Sequence, residues 1–170
     1  VFDLPKIILK QMGHDFSFRG HAAYESATTS GAAHLLVFTG TDTVPAIDFL
    51  EEYYNADSDK ELVGGSVAAS EHSVACLGST YDENGNADDY AYFERMITQV
   101  YPTGIVSLVS DTFDFWEVVN PNGGTLVRLK DIIMERDGKV VIRPDSGDPV
   151  KIVTGYTKEE YVILDGKFYE

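Results

Sequence analysis

Five short polar segments hold the residues whose types and spacing suit chemistry. In His14-Asp15-Phe16-Ser17-Phe18-Arg19-Gly20, Arg19 offers a guanidinium, which meets phosphate through paired N–H donors. Phe16 and Phe18 offer rings able to stack on a flat heterocycle. The plainer uses of these residues are an Arg19–Asp15 surface ion pair and two core phenylalanines. In Gly40-Thr41-Asp42-Thr43, Asp42 is an acceptor for a ligand N–H, against a plain turn and helix cap. In Glu71-His72-Ser73, His72 suits a nucleophile, an acid/base or a phosphate ligand, against an exposed structural histidine. In Ser110-Asp111-Thr112-Phe113-Asp114, Asp111 can orient and charge-stabilise a histidine, against another helix cap. Arg143-Pro144-Asp145-Ser146-Gly147-Asp148-Pro149 is the most informative locally. It joins a cation for phosphate to a carboxylate for ribose hydroxyls on a stiff Pro- and Gly-rich turn.

These segments need elements to position them. Four short apolar runs read as buried strands: 6–12 (KIILKQM), 34–38 (HLLVF), 105–109 (IVSLV) and 139–142 (KVVI). Each is followed by one of the polar segments or by turn residues. Helical spacing falls between them. Over 43–54, Ile47, Leu50 and Tyr53 or Tyr54 share a face, with Thr43 as cap and Pro45 in the first turn. Over 86–101, Tyr90, Phe93, Ile97 and Val100 form a stripe, with Asp88 and Asp89 at its start. Over 125–136 the stripe is Leu126, Leu129 and Ile133, with Gly138 as the stop. A shorter helix through Trp116 and Val119 takes its cap from Asp111 or Thr112. Residues 20–33 are helix-permissive with a weak stripe. Strands alternating with helices imply parallel pairing and an α/β class, whose strand-end loops carry sites. A closed barrel needs about eight strands and ~250 residues, so four or five strands read as part of one. The expected division is 1–150, a partial barrel, and 151–170, a C-terminal β-hairpin turning at Asp165-Gly166.

Composition bounds the rest. A chain of 170 residues with 44% hydrophobic residues can bury a core without staples, which excludes a disordered class. The net charge of −15 repels polyanions, so no nucleic-acid partner is expected. No apolar run reaches the length of a membrane helix, so no membrane partner is expected. The first residues show no secretory-signal pattern. The lone Cys76 suits a reducing, cytoplasmic setting and forms no CxxC metal pattern.

Taken together, HDFSFRG (14–20), GTDTV (40–44), AASEHS (68–73), SLVSDTFD (107–114) and RPDSGDP (143–149) resemble the nicotinamide phosphoribosyltransferase family, in its order and at compatible spacing. The resemblance runs from about Gly13 to Pro149 and implies an internal fragment of a longer enzyme. It implies an irregular α/β barrel of the type II phosphoribosyltransferase kind, working as a homodimer. The implied reaction makes nicotinamide mononucleotide and pyrophosphate from nicotinamide and phosphoribosyl pyrophosphate, with Mg2+ and coupled ATP hydrolysis. By position, Phe16 stacks on the pyridine ring, Asp42 accepts from the carboxamide, and Ser107 is a further nicotinamide contact. Arg19, Arg143 and Asp145 hold phosphate, pyrophosphate and ribose. His72 and Asp111 are the catalytic pair, His72 being phosphorylated by ATP and Asp111 supporting it. Asp42 repels a carboxylate, which argues against the alternative, a nicotinate phosphoribosyltransferase. A catalytically silent binding fragment is the other alternative. Ser17 stands where the family usually has Gly, and the tail from Val150 onward departs from its pattern. The resemblance implies that part of the basic pyrophosphate-binding set, and a partner subunit's N-terminal Tyr that completes the ring sandwich, come from segments outside this sequence. The isolated chain is therefore expected to be inactive or nearly so.

Overall fold

The computed structural model describes residues 5–155, 162–164 and 167–169. The chain divides into two compact units, Val1–Ser66 and Val67–Glu170.

The first unit contains α1 (Lys6–Lys10), β1 (His14–Asp15), a 3₁₀ turn (Phe18–Gly20), α2 (Tyr24–Leu35), β2 (Gly40–Thr41) and α3 (Pro45–Tyr54). β1 and β2 pair in parallel, His14 opposite Gly40 and Asp15 opposite Thr41. Its core is Ala32, Leu35, Ala46 and Leu50, with Ile47, Phe49, Ala56 and Val63 packed against them. α2 and α3 approach closely at Gly31, where a Cβ would lie 2.7 Å from the Ala46 Cβ. Pro45 opens α3, and Asn55 closes it in the left-handed conformation that asparagine tolerates.

Two of the expected strands are absent here. Residues 6–10 are helical, since Leu, Lys and Ile at these positions have no sheet to enter and Ile8 and Leu9 are exposed. The 34–38 run begins as the end of α2, and Leu36 and Val37 beyond it face solvent. The strand is only Gly40–Thr41. A short apolar run does not distinguish strand from helix end by periodicity, and the Ala-rich segment before 34 extends the helix. The Thr43 hydroxyl accepts no amide of α3 as a cap; it is buried and lies toward Asp15 instead.

The second unit contains β3 (Ala68–Ala69), α4 (His72–Gly78), β4 (Thr80–Tyr81), β5 (Ala87–Asp88), α5 (Tyr90–Arg95) and a wider π turn (Met96–Val100). It continues with β6 (Gly104–Val109), α6 (Phe115–Val119), α7 (Thr125–Arg128), α8 (Lys130–Glu135), β7 (Gly138–Arg143) and α9 (Pro149–Thr154). β8 (Val162–Leu164) and β9 (Lys167–Tyr169) pair antiparallel. The expected turn between them at Asp165-Gly166 lies outside the described residues. The central sheet is β3-β6-β7, parallel throughout, with β6 and β7 in register from Gly104 opposite Gly138 to Val109 opposite Arg143. Val106 and Leu108 bury fully against Tyr92, Phe93, Ile97, Val118 and Leu129. This is where the sequence pattern holds: the last four residues of β6 are buried, and a run rich in β-branched residues favours a strand.

Local details differ from expectation. Residues 86–88 belong to the β4–β5 hairpin, so the 90–100 helix starts later. The 125–136 helix breaks at Leu129 into α7 and α8. Gly138 is no helix stop. It opens β7 at φ 151, where a Cβ would lie 2.0 Å from the Gly104 carbonyl oxygen. α6 is capped by Asp114, whose Oδ1 accepts from the Trp116 and Glu117 amides at 2.9 and 3.2 Å. Asp111 is thereby left for other use. The fold is mixed α/β with parallel sheets, and among the described residues no sheet closes into a barrel.

Candidate functional site

In the first unit, the ends of β1 and β2 set Phe16 and Asp42 beside a histidine. The parallel pairing carries on past the strands, as the Asp42 amide donates to the Asp15 carbonyl at 2.8 Å. His14 Nε2 then lies 3.0 Å from Asp42 Oδ1, and Ser66 Oγ donates to the same oxygen at 2.6 Å. The His14 and Phe16 rings are stacked at a tilt, 4.3 Å between centroids. Phe16 is half exposed, so it is not a core residue. Asp15 turns inward and accepts from the Ser17 amide at 2.9 Å, which shapes the turn carrying Phe16. Burial pushes the Asp15 carboxyl up, but Ser17, Thr43 and His34 outweigh it and hold the group below its ordinary range. Arg19 is exposed on the 3₁₀ turn, and among the described residues no Arg19–Asp15 ion pair forms.

In the second unit, three carboxyl-end loops of the parallel sheet converge. After β3, the Ser70 amide donates to Ser107 O at 2.9 Å. The Ser70 carbonyl accepts from Arg143 Nη2 at 2.8 Å, which anchors the half-buried guanidinium at the end of β7. Ser70 Oγ accepts from the Val109 amide at 3.1 Å and bonds the Tyr92 hydroxyl, so this anchor is itself fixed in the core. Asp111 follows β6, and its side chain is 4% exposed. Ser146 Oγ, in the loop after β7, donates to its Oδ2. Burial pushes the Asp111 carboxyl up. The Ser146 hydroxyl, the amides of Asp145 and Asp111, and His72 outweigh burial, so the net shift is downward and the group stays ionised. His72, at the first position of α4, holds Nε2 3.4 Å from Asp111 Oδ1. That oxygen is sealed from solvent and makes no hydrogen bond among the described residues. The pair is therefore an ion-pair contact with a dry acceptor aimed at a half-exposed imidazole. Ser107 is buried in β6, on the face opposite Val106 and Leu108. Asp145 is exposed in the loop after β7.

The structure thus joins Phe16 with Asp42 in one unit, and His72 with Asp111 in the other. It sets Arg143 at the end of β7 and Asp145 on the loop that follows, whose Ser146 holds Asp111. Sequence reading missed His14 and Ser66 on Asp42, Ser146 on Asp111, and the Ser70–Tyr92 support of Arg143. His14 and Ser146 sit inside segments already singled out for chemistry. Their partners lie 28 and 35 positions away and no local signal links them.

A curated nicotinamide phosphoribosyltransferase of Acinetobacter baylyi is 50% identical over 149 residues, covering 84% of this chain and 27% of its own length. Nicotinamide phosphoribosyltransferases of Xanthomonas campestris pv. campestris and Mycoplasma pneumoniae are 38% and 34% identical over 82% and 79% of the chain. The chain spans about a quarter of the length of these relatives. The model of the nicotinate phosphoribosyltransferase (NAPRTase) family matches residues 12–166, and on that match the chain belongs to this family.

Proposed function

We propose that the chain is the central segment of a nicotinamide phosphoribosyltransferase in NAD salvage. In this reading the pyridine nitrogen of nicotinamide displaces pyrophosphate from C1 of phosphoribosyl pyrophosphate, giving nicotinamide mononucleotide. The observation that carries it is Asp42, a carboxylate beside a stacked, half-exposed Phe16. An ionised acceptor attracts a carboxamide N–H and repels the carboxylate of nicotinate. The names of the relatives support the same base. Nicotinate, which the family's name carries, is the second reading.

The remaining residues take roles that suit their surroundings. Ser107 is a further contact to the base, and Arg19 meets the phosphate or pyrophosphate end. Arg143, held by Ser70, supplies charge to the ribosyl phosphate, and the exposed Asp145 accepts from ribose hydroxyls. The reaction passes through an oxocarbenium-like centre, so positioning and charge outweigh a strong nucleophile. His72 receives the terminal phosphoryl group of ATP, whose remainder leaves as ADP, and Asp111 orients the imidazole. Mg2+ enters with the pyrophosphate group. Among the described residues no three His, Cys, Asp or Glu side chains converge into a metal cage. A homodimer is part of the same reading. No helix among the described residues is long and apolar enough to cross a membrane, and a cytoplasmic setting is the simplest one.

Calorimetric titration of nicotinamide into the chain tests the base site. Binding that disappears in Asp42→Ala is the expected result, and binding unchanged in Asp42→Ala overturns it. Labelling with γ-labelled ATP tests His72, through an acid-labile, base-stable phosphate absent from His72→Ala. A wild-type chain that takes no label would favour the silent binding fragment.

A further inference from the structure

We propose that His14 is the positioning residue that makes Asp42 select an amide over an acid, with Ser66 as its co-donor. The proposal rests on the base-site reading of Asp42 and Phe16 above. Asp42 Oδ1 takes two donors, His14 Nε2 at 3.0 Å and Ser66 Oγ at 2.6 Å. Among the described residues no hydrogen bond is made to Oδ2, and the side chain is 41% exposed. Two donors on one oxygen fix the carboxylate plane and leave the other oxygen as an acceptor only. A carboxamide supplies an N–H to it, whereas a carboxylate supplies none and adds repulsion.

His14 is itself held on three sides. One face lies on Phe16 and Nε2 lies on Asp42. The Nδ1 edge presses on β2, where a Cβ on Gly40 would stand 2.6 Å from Nδ1. Glycine opposite His14 in the strand register is what lets the imidazole lie there. One ring therefore couples the plane of the stacking surface to the direction of the acceptor. A ligand stacked on Phe16 meets Asp42 at a fixed angle, which is what discriminates between two bases of the same shape.

The test is calorimetric titration of nicotinamide and of nicotinate into the wild-type chain, His14→Phe, His14→Gln, Ser66→Ala and Asp42→Ala. His14→Phe keeps a ring on Phe16 and removes the donor. His14→Gln removes the ring and restores an N–H of similar reach. Nicotinamide affinity is expected to fall about tenfold in His14→Phe, as loss of one charge-assisted hydrogen bond implies, with nicotinate little changed. His14→Gln recovers most of the preference, and Ser66→Ala narrows it in the same direction. The reverse order, preference kept by Phe and lost by Gln, overturns the proposal in favour of ring packing alone. So does an equal loss for both bases. If Asp42→Ala abolishes nicotinamide binding while both His14 variants keep the wild-type preference, only the His14 proposal fails. If Asp42→Ala leaves nicotinamide binding intact, or the wild-type chain binds neither base, the base-site reading fails with it.

Discussion

The two units build their candidate sites in opposite ways. In the first, two strands of two residues each are enough to align His14 with Asp42, and the helices supply the core. Its polar contacts are partly exposed, so solvent competes with each of them. In the second, strands of six residues carry a core of large side chains, and the key carboxylate is sealed above it. The first arrangement suits recognition of a neutral ring, where orientation decides. The second suits charge chemistry, where a dry acceptor strengthens each electrostatic contact.

The comparison can be broken most sharply at the strand entrance of the second unit. Gly138→Ala drives a Cβ into the Gly104 carbonyl oxygen at a positive φ, and is expected to cost about 4 kcal/mol or more. Urea unfolding followed by the single Trp116 reads this, and a loss below about 1 kcal/mol would mean the β6–β7 entrance relaxes. Next in size come the cores. Leu108→Ala, in the larger cluster, is expected to cost about 3–4 kcal/mol, and Leu50→Ala, beside small residues, about 2–3. Equal losses would remove the claimed difference between the units.

A smaller effect separates capping from chemistry. Asp114→Ala is expected to cost about 1 kcal/mol through the lost α6 cap. Asp111→Asn leaves that cap intact and weakens the hold on His72 instead, read as a loss of the phosphohistidine label. The smallest effect is electrostatic and sits at Asp89, which is buried and accepts from the Ser79 hydroxyl at 2.9 Å. Desolvation raises its carboxyl above the ordinary value, so its contribution to stability declines as pH rises from the unfolded value through the folded one. Asp111 runs the other way, its stabilisation present above the unfolded value and lost as pH falls through the lowered folded one. Asp89→Asn keeps an acceptor for Ser79 and is expected to raise the melting temperature at neutral pH. The gain should vanish toward about pH 3, where the wild-type carboxyl is protonated in both states. A gain independent of pH would assign it to packing.

Legibility in the sequence differed between the units for a physical reason. β6 and β7 announce themselves as runs rich in β-branched residues, the composition that a parallel sheet packed against helices favours. The apolar runs at 6–12 and 34–38 carry the same signal and became a helix and a helix end. Short runs are arbitrated by what packs on them. Capping followed the same rule, since Asp111, Thr112 and Asp114 all qualify by type and only Asp114 reaches two amides.

The sequence by itself determined the α/β class, the identity of the loops at the strand ends, and the family to which they belong. Those depend on residue types and their order along the chain, which are local properties. The tertiary structure alone decided that His14 and Ser66 share one oxygen of Asp42, that Ser146 holds Asp111, and that Ser70 anchors Arg143. Each is a side-chain contact across 24 to 73 positions. Hydrogen bonds of that kind depend on strand register and ring orientation to within a few tenths of an ångström, and no spacing in a linear sequence encodes such a distance.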